Sequence, residues 1–353
     1  MSINKLAQNF ISHAPEFYSD LELNDLDVKH TVIVKDAYDF IDAGGIYKEN
    51  NFRNWSGQTD LGVPMQMSAF NFKTYGFPYI FLKFLYMKVF RRDAERHVLN
   101  SLMDDMSIIK SIGGESILKE NPAHSALGAL TAYFIEGTSI NLRWLRYIYI
   151  CQQIINHSLL PDTGVWVDVG SYYGGCQSLL RKYFPNTTNV LVDFHHQLCR
   201  SYIFLSKTYP EAEHILPDQV SNYESLESMP KGSFVYVPVS DYYKIANQEA
   251  DLVTNFFSLG EMRREFFSVY MSSILFKESK KVYLINRWIS SPFFEKTYDN
   301  DISIIDYMSN KQKIDYFDMF PMAHYQLMKR ELYGRIAHRN ASSSYFEIMT
   351  SNQ

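Results

Sequence analysis

Residues 164–199 read GVWVDVGSYYGGCQSLLRKYFPNTTNVLVDFHHQLC, and this stretch decides the fold. An apolar run at residues 165–167 leads to Asp168, and a turn that contains glycine follows it. Apolar residues at helical spacing come next, and then a β-branched run at residues 190–192 ends at Asp193. The order of strand, glycine turn, helix, strand and acid predicts the opening of a parallel βαβ unit.

The geometry of such a unit favours a nucleotide ligand. A helix that begins just after a buried strand directs its free N–H groups into the crevice at the end of the strand. Glycine permits positive φ and a close approach of the backbone to a ligand. Asp193 follows Gly170 at close to the roughly 20 residues at which an acid accepts hydrogen bonds from ribose hydroxyls. One alternative stays open, a turn without a ligand in which glycine only permits tight packing of helix on sheet.

The glycine turn favours one of the two cofactor classes that use this geometry. Nicotinamide enzymes need G-x-G-x-x-G, so that the pyrophosphate lies at the helix N-terminus. Here the turn reads G-x-x-x-G-G, and Tyr172 stands where the second glycine is required. Asp168, two residues before Gly170, repels phosphate but suits the cationic, phosphate-free cofactor S-adenosylmethionine. The sequence therefore favours S-adenosylmethionine.

Length, charge and cysteine content limit the class of protein. The 353 residues allow two domains, or one large domain with an appendage, and an apolar fraction of 46% is sufficient for a sizeable core. A net charge of −5 and a pI near 6.1 exclude a bulk electrostatic binder of nucleic acid. The 3 cysteines form no disulfide framework, and the first residues lack the pattern of a secretory signal, so we expect the cytoplasm.

The most apolar stretch, FPYIFLKFLYMKVF at residues 77–90, is too short to span a bilayer. It contains Lys83 and Lys88, and Arg91 and Arg92 follow it. We expect a core helix with two lysines that face solvent, and peripheral contact with a membrane surface is the alternative. The sequence leaves the oligomeric state, including a homo-oligomer, open.

The order of the other elements predicts the architecture. A helix over residues 139–155 is followed by a linker that contains Pro161, and we place a domain boundary there. The prediction is a mainly helical N-terminal substrate or lid domain over residues 1–156 and an α/β domain over residues 157–353. Further strands are predicted at residues 234–237, 250–256 and 281–286, with a closing pair at 314–319 and 345–349 around a helix-rich excursion. Strands that alternate with helices in this way are typical of a doubly wound sheet.

These residues resemble the S-adenosylmethionine-dependent methyltransferases of the Rossmann-like class, and more narrowly the bacterial sugar O-methyltransferases. Residues 168–175, DVGSYYGG, are similar to that family's acid–apolar–Gly–Gly–Gly–Tyr–Gly–Gly motif, and Asp193 matches the acid that closes its second strand. Residues 255–262 resemble its fourth-strand N-x-x-S-x-x-E-M motif, and residues 285–287 match its fifth-strand ending. The resemblance covers residues 115–290.

The chain departs from this family's pattern at two points. Tyr172 replaces the middle glycine of the turn, and His195-His196 replaces the usual Pro-Glu after the acid. Both changes bear on how a cofactor packs. A methyltransferase fold that binds a ligand or partner but has lost catalysis is therefore one alternative function, and a nicotinamide-dependent oxidoreductase is a weaker one.

The resemblance implies an S-adenosylmethionine-dependent O-methyltransferase that acts on a sugar hydroxyl in the synthesis of a surface polysaccharide or glycolipid. Its acceptor would be a sugar or glycan. Asp241, after the third strand, is a candidate for contact with the adenine amino group, and a cap of the following helix is the alternative. The predicted cofactor contacts are Asp168, Gly170, Ser171, Tyr172, Gly174, Asp193, Asp241 and Asn255.

The catalytic candidates are residues that could remove the proton from the acceptor hydroxyl. A sugar hydroxyl is a poor nucleophile, so a base or a metal should assist its attack on the methyl group. Glu261 lies in the exit loop of the fourth strand, where the resemblance places the transferable methyl group, and it is the first candidate; a capping role at the next helix is the alternative. His196 is the second candidate, with His195 beside it, and His324 is a third. No cluster has metal-ligand spacing, so no structural metal is predicted, and a divalent ion shared between distant carboxylates is the alternative.

Overall fold

The structure is a computed structural model that describes residues 3–14, 99–123, 133–290, 301–308, 312–322, 331–332, 335–336 and 344–352. The apolar stretch at residues 77–90 and His324 lie outside these ranges, so the predictions made for them stay predictions. Elements are numbered in chain order among the described residues.

The helices and strands have the following bounds. The α-helices are α1 (Ile3–Ser12), α2 (residues 99–111), α3 (Glu115–Glu120), α4 (Leu142–Asn156), α5 (Gly175–Leu180), α6 (His195–Thr208), α7 (Arg264–Ser272), α8 (Ile274–Glu278) and α9 (Ile304–Tyr307). The strands are β1 (Tyr133–Ile135), β2 (Thr138–Ile140), β3 (Val165–Val169), β4 (Thr188–Asp193), β5 (His214–Ile215), β6 (Phe234–Pro238), β7 (Leu252–Phe256), β8 (Lys281–Arg287), β9 (Ile289–Ser290), β10 (Ile302–Ser303), β11 (Lys313–Met319), β12 (Glu331–Leu332), β13 (Arg335–Ile336) and β14 (Tyr345–Ser351).

The central sheet has 8 strands in the order β11-β14-β8-β7-β3-β4-β6-β5. The six strands from β8 to β5 in this order are parallel, and β14 runs antiparallel between β8 and β11. From β3 the chain builds one side of the sheet through β4 and β6, and it then crosses back to β7 and β8. This confirms the predicted doubly wound, Rossmann-like sheet. The switch in direction lies between β3 and β7, where such sheets bind ligands at the carboxyl ends of their strands.

Both faces of the sheet are covered, which explains why its central strands are continuous apolar runs. All five residues of β3 are buried. Val165, Val167 and Val169 face a core that α7 and α8 complete, whereas Trp166 faces the core that α4, α5 and α6 complete. Successive side chains of β3 thus point to opposite faces of the sheet, and each face is covered by its own layer of helices.

The described helices of the first 156 residues pack on the same face as α5 and α6. The ring of Phe10 on α1 is fully buried, 5.9 Å from the ring of Tyr202 on α6 and 6.0 Å from that of Tyr236 on β6. Apolar residues of α2 and α4 join the same core. The predicted boundary at residue 156 stays a prediction, and the described helices before it share one core with the sheet.

Three local expectations differ from the structure. The helix predicted over residues 139–155 begins only at Leu142, because residues 138–140 form the strand β2. The apolar spacing after the glycine turn predicts a helix that includes Phe184, but α5 ends at Leu180. Pro185 follows Phe184, and the residue before proline avoids helical backbone. Between β11 and β14, where the sequence predicts a helix-rich excursion, the described residues 331–332 and 335–336 form the antiparallel pair β12 and β13. The rest of the predicted excursion lies outside the described ranges.

Candidate active site

The turn between β3 and α5 holds left-handed backbone at three positions. The φ angles are +83° at Gly170, +54° at Tyr172 and +81° at Gly174. Glycine adopts such angles freely, whereas a tyrosine does so at a cost of about 1 kcal/mol or more. A Cβ on Gly170 would collide with the hydroxyl of Ser258 in the loop after β7. The turn and that loop are therefore in direct contact at the switch point of the sheet.

Asp193 closes this turn from the end of β4. The Tyr172 backbone N–H donates to Asp193 Oδ2 at 2.7 Å, and the Phe194 N–H donates to Oδ1 at 2.8 Å. The Gly170 N–H donates to the carbonyl of Val192 at 2.8 Å. A carboxylate has about four acceptor positions, and these two bonds use one on each oxygen. Asp193 thus fixes the turn while it stands where the sequence predicts a ribose contact.

The side chain of Tyr172 packs between α4 and α6. The guanidinium carbon of Arg143 lies 4.4 Å from the centre of the Tyr172 ring, and that of Arg200 lies 5.5 Å from it. The ring meets the edge of the Tyr173 ring at 5.3 Å, and the Tyr172 carbonyl accepts a hydrogen bond from the Ser201 hydroxyl at 2.6 Å. The structure therefore accommodates a tyrosine at this position of the turn.

Asp168 lies beneath the turn with 3% of its surface exposed. Its Oδ1 accepts from the Thr254 hydroxyl at 2.6 Å, and its Oδ2 accepts from the Gln177 amide at 2.5 Å. Burial raises the pKa of this carboxyl to about 7, and the two hydrogen bonds and Arg146 offset only part of the effect. These contacts join β3, α5 and β7, so they support the scaffold of the site, and the predicted contact of Asp168 with a cofactor stays a prediction.

Asn255, at the carboxyl end of β7, is fully buried and connects three parts of the site. Its amide donates to the carbonyl of Val169 at 2.7 Å and to the Ser258 hydroxyl at 2.6 Å. Its carbonyl accepts from the Leu259 N–H at 3.1 Å and from the Asn286 amide at 3.0 Å. Asn255 therefore orients the loop after β7, and its predicted contact with a cofactor is untested.

Glu261 ends the short 3₁₀ helix Leu259–Glu261 in that loop. Its side chain is 38% exposed, and its Oε1 lies 3.6 Å from Arg287 Nη2 at the end of β8. Burial raises the pKa of this carboxyl above its ordinary range, and the charges of Arg287 and Arg146 counteract the rise in part. Glu261 does not cap α7, whose N-cap is Arg263. An accessible carboxylate with a raised pKa suits the acceptance of a proton.

The other predicted site residues lie around this centre. Asp241, in the 3₁₀ helix Val239–Lys244 after β6, accepts a hydrogen bond from the Lys244 ammonium at 2.8 Å. His195 begins α6 and is 1% exposed. The backbone of His196 follows in the first turn of α6, and its side chain lies outside the described part of the structure. Within that part, no group of three or more His, Cys, Asp or Glu residues is placed to hold a metal ion.

Arginines at this edge of the sheet escaped the sequence analysis. Arg143 contacts Tyr172, as described above, and Arg146 lies one turn further along α4, 4.4 Å from the ring of Phe257 after β7. Arg287 donates to the hydroxyl of Tyr345 at 2.9 Å. A signal for Arg143 exists in the sequence, because this arginine lies in the first turn of α4, where the helix dipole favours acids over arginines.

No protein-family model and no curated protein matches the chain. Solved structures do match it over 60% of its length. Mitomycin 7-O-methyltransferase is 10% identical, with 57% of that chain covered and a TM-score of 0.34. Geranyl diphosphate methyltransferase and the magnesium protoporphyrin IX methyltransferase of Synechocystis PCC 6803 are each 10% identical, with 90% and 84% of those chains covered and a TM-score of 0.37. The match thus spans less than two thirds of the first of these proteins. At these TM-scores and identities the matches add no argument to the chain's own sheet and site.

Proposed function

We propose that the chain is an S-adenosylmethionine-dependent O-methyltransferase that acts on a hydroxyl of a sugar or glycan in the cytoplasm, in the synthesis of a surface polysaccharide or glycolipid. The observation that carries the proposal is the glycine turn at the switch point of the sheet, tied to Asp193 and in contact with the loop that presents Glu261. The sugar and the biosynthetic role rest on the sequence resemblance alone.

The residues at the turn fit the proposed cofactor. Gly170 and Gly174 place no side chain of their own in the turn, and Asp193 lies where its carboxylate could accept hydrogen bonds from a ribose diol. The Ser171 hydroxyl is buried and has no hydrogen-bond partner among the described residues, as expected of a group that completes its bonding with a ligand. S-adenosylmethionine supplies, when bound, an electrophilic methyl group on a sulfonium. Asp241 is the proposed contact of its adenine.

The proposed chemistry of the chain itself is proton removal from the acceptor. Glu261 would accept the proton of the acceptor hydroxyl, and its raised pKa makes it a stronger base than an ordinary glutamate. Arg287 lies beside Glu261 and holds its position while it favours the charged form. His196 stays a second candidate for this role.

Calorimetric titration with S-adenosylmethionine and S-adenosylhomocysteine tests the proposal. We expect micromolar binding to the wild type and its loss in Asp193→Ala, because that change removes the proposed ribose contact. Asp218→Ala is the matched control, since Asp218 is an acid that pairs with His13 in another part of the fold. Binding that is lost in Asp193→Ala alone would justify a screen of sugar acceptors with labelled methyl donor.

The same titration separates the alternatives. A wild type that binds neither compound would favour a methyltransferase fold that has lost catalysis because Tyr172 blocks the cofactor pocket. In that case Tyr172→Gly should restore binding if the tyrosine closes the pocket. Binding of a nicotinamide dinucleotide instead would favour the oxidoreductase.

A further inference from the structure

The strand β11 forms one edge of the sheet among the residues that the structure describes. Its inner side pairs with β14, and its outer side contributes no hydrogen bond to the described sheet. Six of its seven residues are exposed, and only Tyr316 is half-buried. Ile314, Phe317 and Met319 are each 40–51% exposed. An edge strand of this length with exposed apolar side chains is a template for pairing with another strand.

Three apolar side chains of β11 lie on the face of the sheet that α7 and α8 cover. Ile314 lines a small cavity together with Met271 of α7. The ring of Phe317 lies 6.5 Å from the ring of Phe346, which belongs to the core on this face. Met319 is opposite Phe346 in the register with β14, so its side chain shares this face.

The other residues of β11 point to the opposite face. Tyr316 packs against the core that α4 helps to form. Asp318 is opposite Glu347 in the register with β14, and the Glu347 carboxyl is hydrogen-bonded to α4. Lys313 and Asp315 flank Ile314 and form an ion pair at 3.1 Å. This face therefore takes the side chains of Lys313, Asp315, Tyr316 and Asp318.

A β-bulge changes the alternation of faces along β11. The register against β14 shifts between Ile314 and Tyr316, so Asp315 is an extra residue and shares its face with Tyr316. As a result, the order of faces over residues 313–318 is symmetric about the bond between Asp315 and Tyr316. Because opposed residues of an antiparallel pair share a face, a second copy of β11 can pair with the first around this bond. A slip by one residue would bring side chains of opposite faces together.

This register places complementary side chains opposite each other. Lys313 of one copy faces Asp318 of the other, and the two-fold symmetry repeats the pair. Ile314 faces Phe317 on the other face of the strand. Opposite charges and a β-branched residue beside an aromatic one are favourable cross-strand neighbours. Met308 lines the same cavity as Ile314 and extends the exposed apolar surface next to the strand.

Lysines and bulges can also protect an edge strand against pairing. In β11, however, the bulge is what makes the order of faces symmetric, and the register that this symmetry selects sets the lysine opposite an aspartate. The same two features therefore favour pairing with a second copy of this strand.

We propose that two copies of the chain form a symmetric dimer by antiparallel pairing of their β11 strands. The two sheets then become one continuous sheet, with Ile314 and Phe317 of both copies covered at the junction. Three strands separate β11 from β3, so this interface lies apart from the glycine turn. The inference concerns assembly and does not depend on the proposed function.

Sedimentation velocity of the full chain over a range of concentrations tests the proposal. Lys313→Glu sets a negative charge opposite Asp318, and Asp318→Lys sets a positive charge opposite Lys313. Because the symmetry repeats each repulsion, we expect each single variant to weaken the dimer by about tenfold or more. The double variant, Lys313→Glu with Asp318→Lys, exchanges the charges within each pair and should dimerise as the wild type does.

An equimolar mixture of the two single variants tests the register itself. In the mixed dimer both pairs again join opposite charges, so the mixture should associate at concentrations at which neither variant associates alone. Lys280→Glu is the matched control, since Lys280 lies outside β11 and is exposed, and it forms an ion pair with Asp251 at 2.7 Å. This variant makes the same change in net charge and should dimerise as the wild type does.

Three results would overturn the proposal. The first is a wild type that stays monomeric at high micromolar concentrations. The second is a dimer that both single variants retain at wild-type strength, which would place the interface elsewhere in the molecule. The third is a mixture and a double variant that associate no better than the single variants. Circular dichroism verifies the fold of each variant, and Asp318→Lys decides the question if Lys313→Glu, which also removes the ion pair with Asp315, does not fold.

Discussion

Gly170 lies in close contact with the side chains of Ser258 and Asn255, so there is no space for a side chain at this position. A Cβ there would collide with the Ser258 hydroxyl, and the φ of +83° disfavours any side chain. We predict that Gly170→Ala lowers the free energy of unfolding by about 2–4 kcal/mol and abolishes S-adenosylhomocysteine binding. Denaturant titration and calorimetry measure the two effects.

Gly137 provides the control for this prediction. Its φ is +80°, but nothing lies within 4 Å of a Cβ built on it. Gly137→Ala therefore isolates the backbone strain, and we expect a cost of about 1 kcal/mol. Equal losses in the two variants would contradict the close contact between the turn and the loop after β7.

Glu261 is the residue on which the proposed chemistry depends. We predict that Glu261→Gln lowers the rate of methyl transfer by about 10²–10⁴-fold without a change in cofactor affinity. Because burial raises the pKa of Glu261, the wild-type rate should rise with pH through a pKa above the 4.5 of an ordinary glutamate, and the variant should lose this limb. Glu265→Gln, an exposed change on α7, is the control, and a wild-type rate in Glu261→Gln would shift attention to His196.

At the scale of elements, β14 carries a carboxylate into the core of the sheet. Glu347 is fully buried and accepts hydrogen bonds from the hydroxyls of Tyr149 on α4, at 2.7 Å, and of Tyr283 on β8. Burial raises its pKa to about 7, and the hydrogen bonds offset only part of this. These hydrogen bonds connect α4 and β8 to β14 through the Glu347 carboxyl, which is protonated more readily than that of an ordinary glutamate.

This network makes stability depend on pH in a defined direction. The folded pKa of Glu347 lies above its unfolded value of about 4.5, so the folded state binds the proton more tightly. Its contribution to stability is complete below pH 4.5 and is lost as the pH rises through 7. We predict that Glu347→Gln reduces the fall in free energy of unfolding between pH 5 and pH 8 by about 2–3 kcal/mol.

Asp168 gives an independent comparison within the same sheet. Burial also raises the pKa of Asp168 to about 7. Asp168→Asn should therefore reduce the fall in free energy of unfolding between pH 5 and pH 8 by a similar amount, and the double variant Asp168→Asn, Glu347→Gln should reduce it by more than either single variant. Denaturant titrations at the two pH values measure these differences. An unchanged pH dependence in Glu347→Gln would show that this carboxyl titrates normally in the folded protein.

For the whole molecule, the question is whether the first 156 residues form a domain of their own. The fully buried ring of Phe10 packs against Tyr202 and Tyr236, so α1 belongs to the core on the face of the sheet that α4, α5 and α6 cover. We predict that Phe10→Ala lowers the free energy of unfolding by about 3–5 kcal/mol and that unfolding stays a single transition. Ile11→Ala, at a half-buried neighbour, should cost less. Two separate transitions would support the domain boundary at residue 156.

Among the residues that the structure describes, no helix is both long and apolar enough to cross a membrane. The described surface therefore offers no spanning segment, and the predicted peripheral contact concerns residues 77–90, which lie outside it.

The sequence by itself determined the sheet, and it predicts that the candidate site lies at one edge of that sheet. Continuous apolar runs, the glycines of the turn at residues 170–175 and the acid at Asp193 are local signals, and they predict strands, a turn and a helix without reference to distant residues. Because parallel strands end at one edge of a sheet, the same signals also predict that the turn and the loop of Glu261 lie close together.

Only the tertiary structure decided what each side chain contacts. Arg143 and Arg200 meet at Tyr172 from two different helices, and Tyr149 reaches Glu347 across 198 residues of sequence. Asp168, a cofactor contact in the sequence analysis, has both oxygens bonded to Gln177 and Thr254. Such partners depend on how helices pack across the sheet, and local patterns of hydrophobicity do not encode that packing, because the free energy of a buried polar group depends on the neighbours that the complete fold supplies.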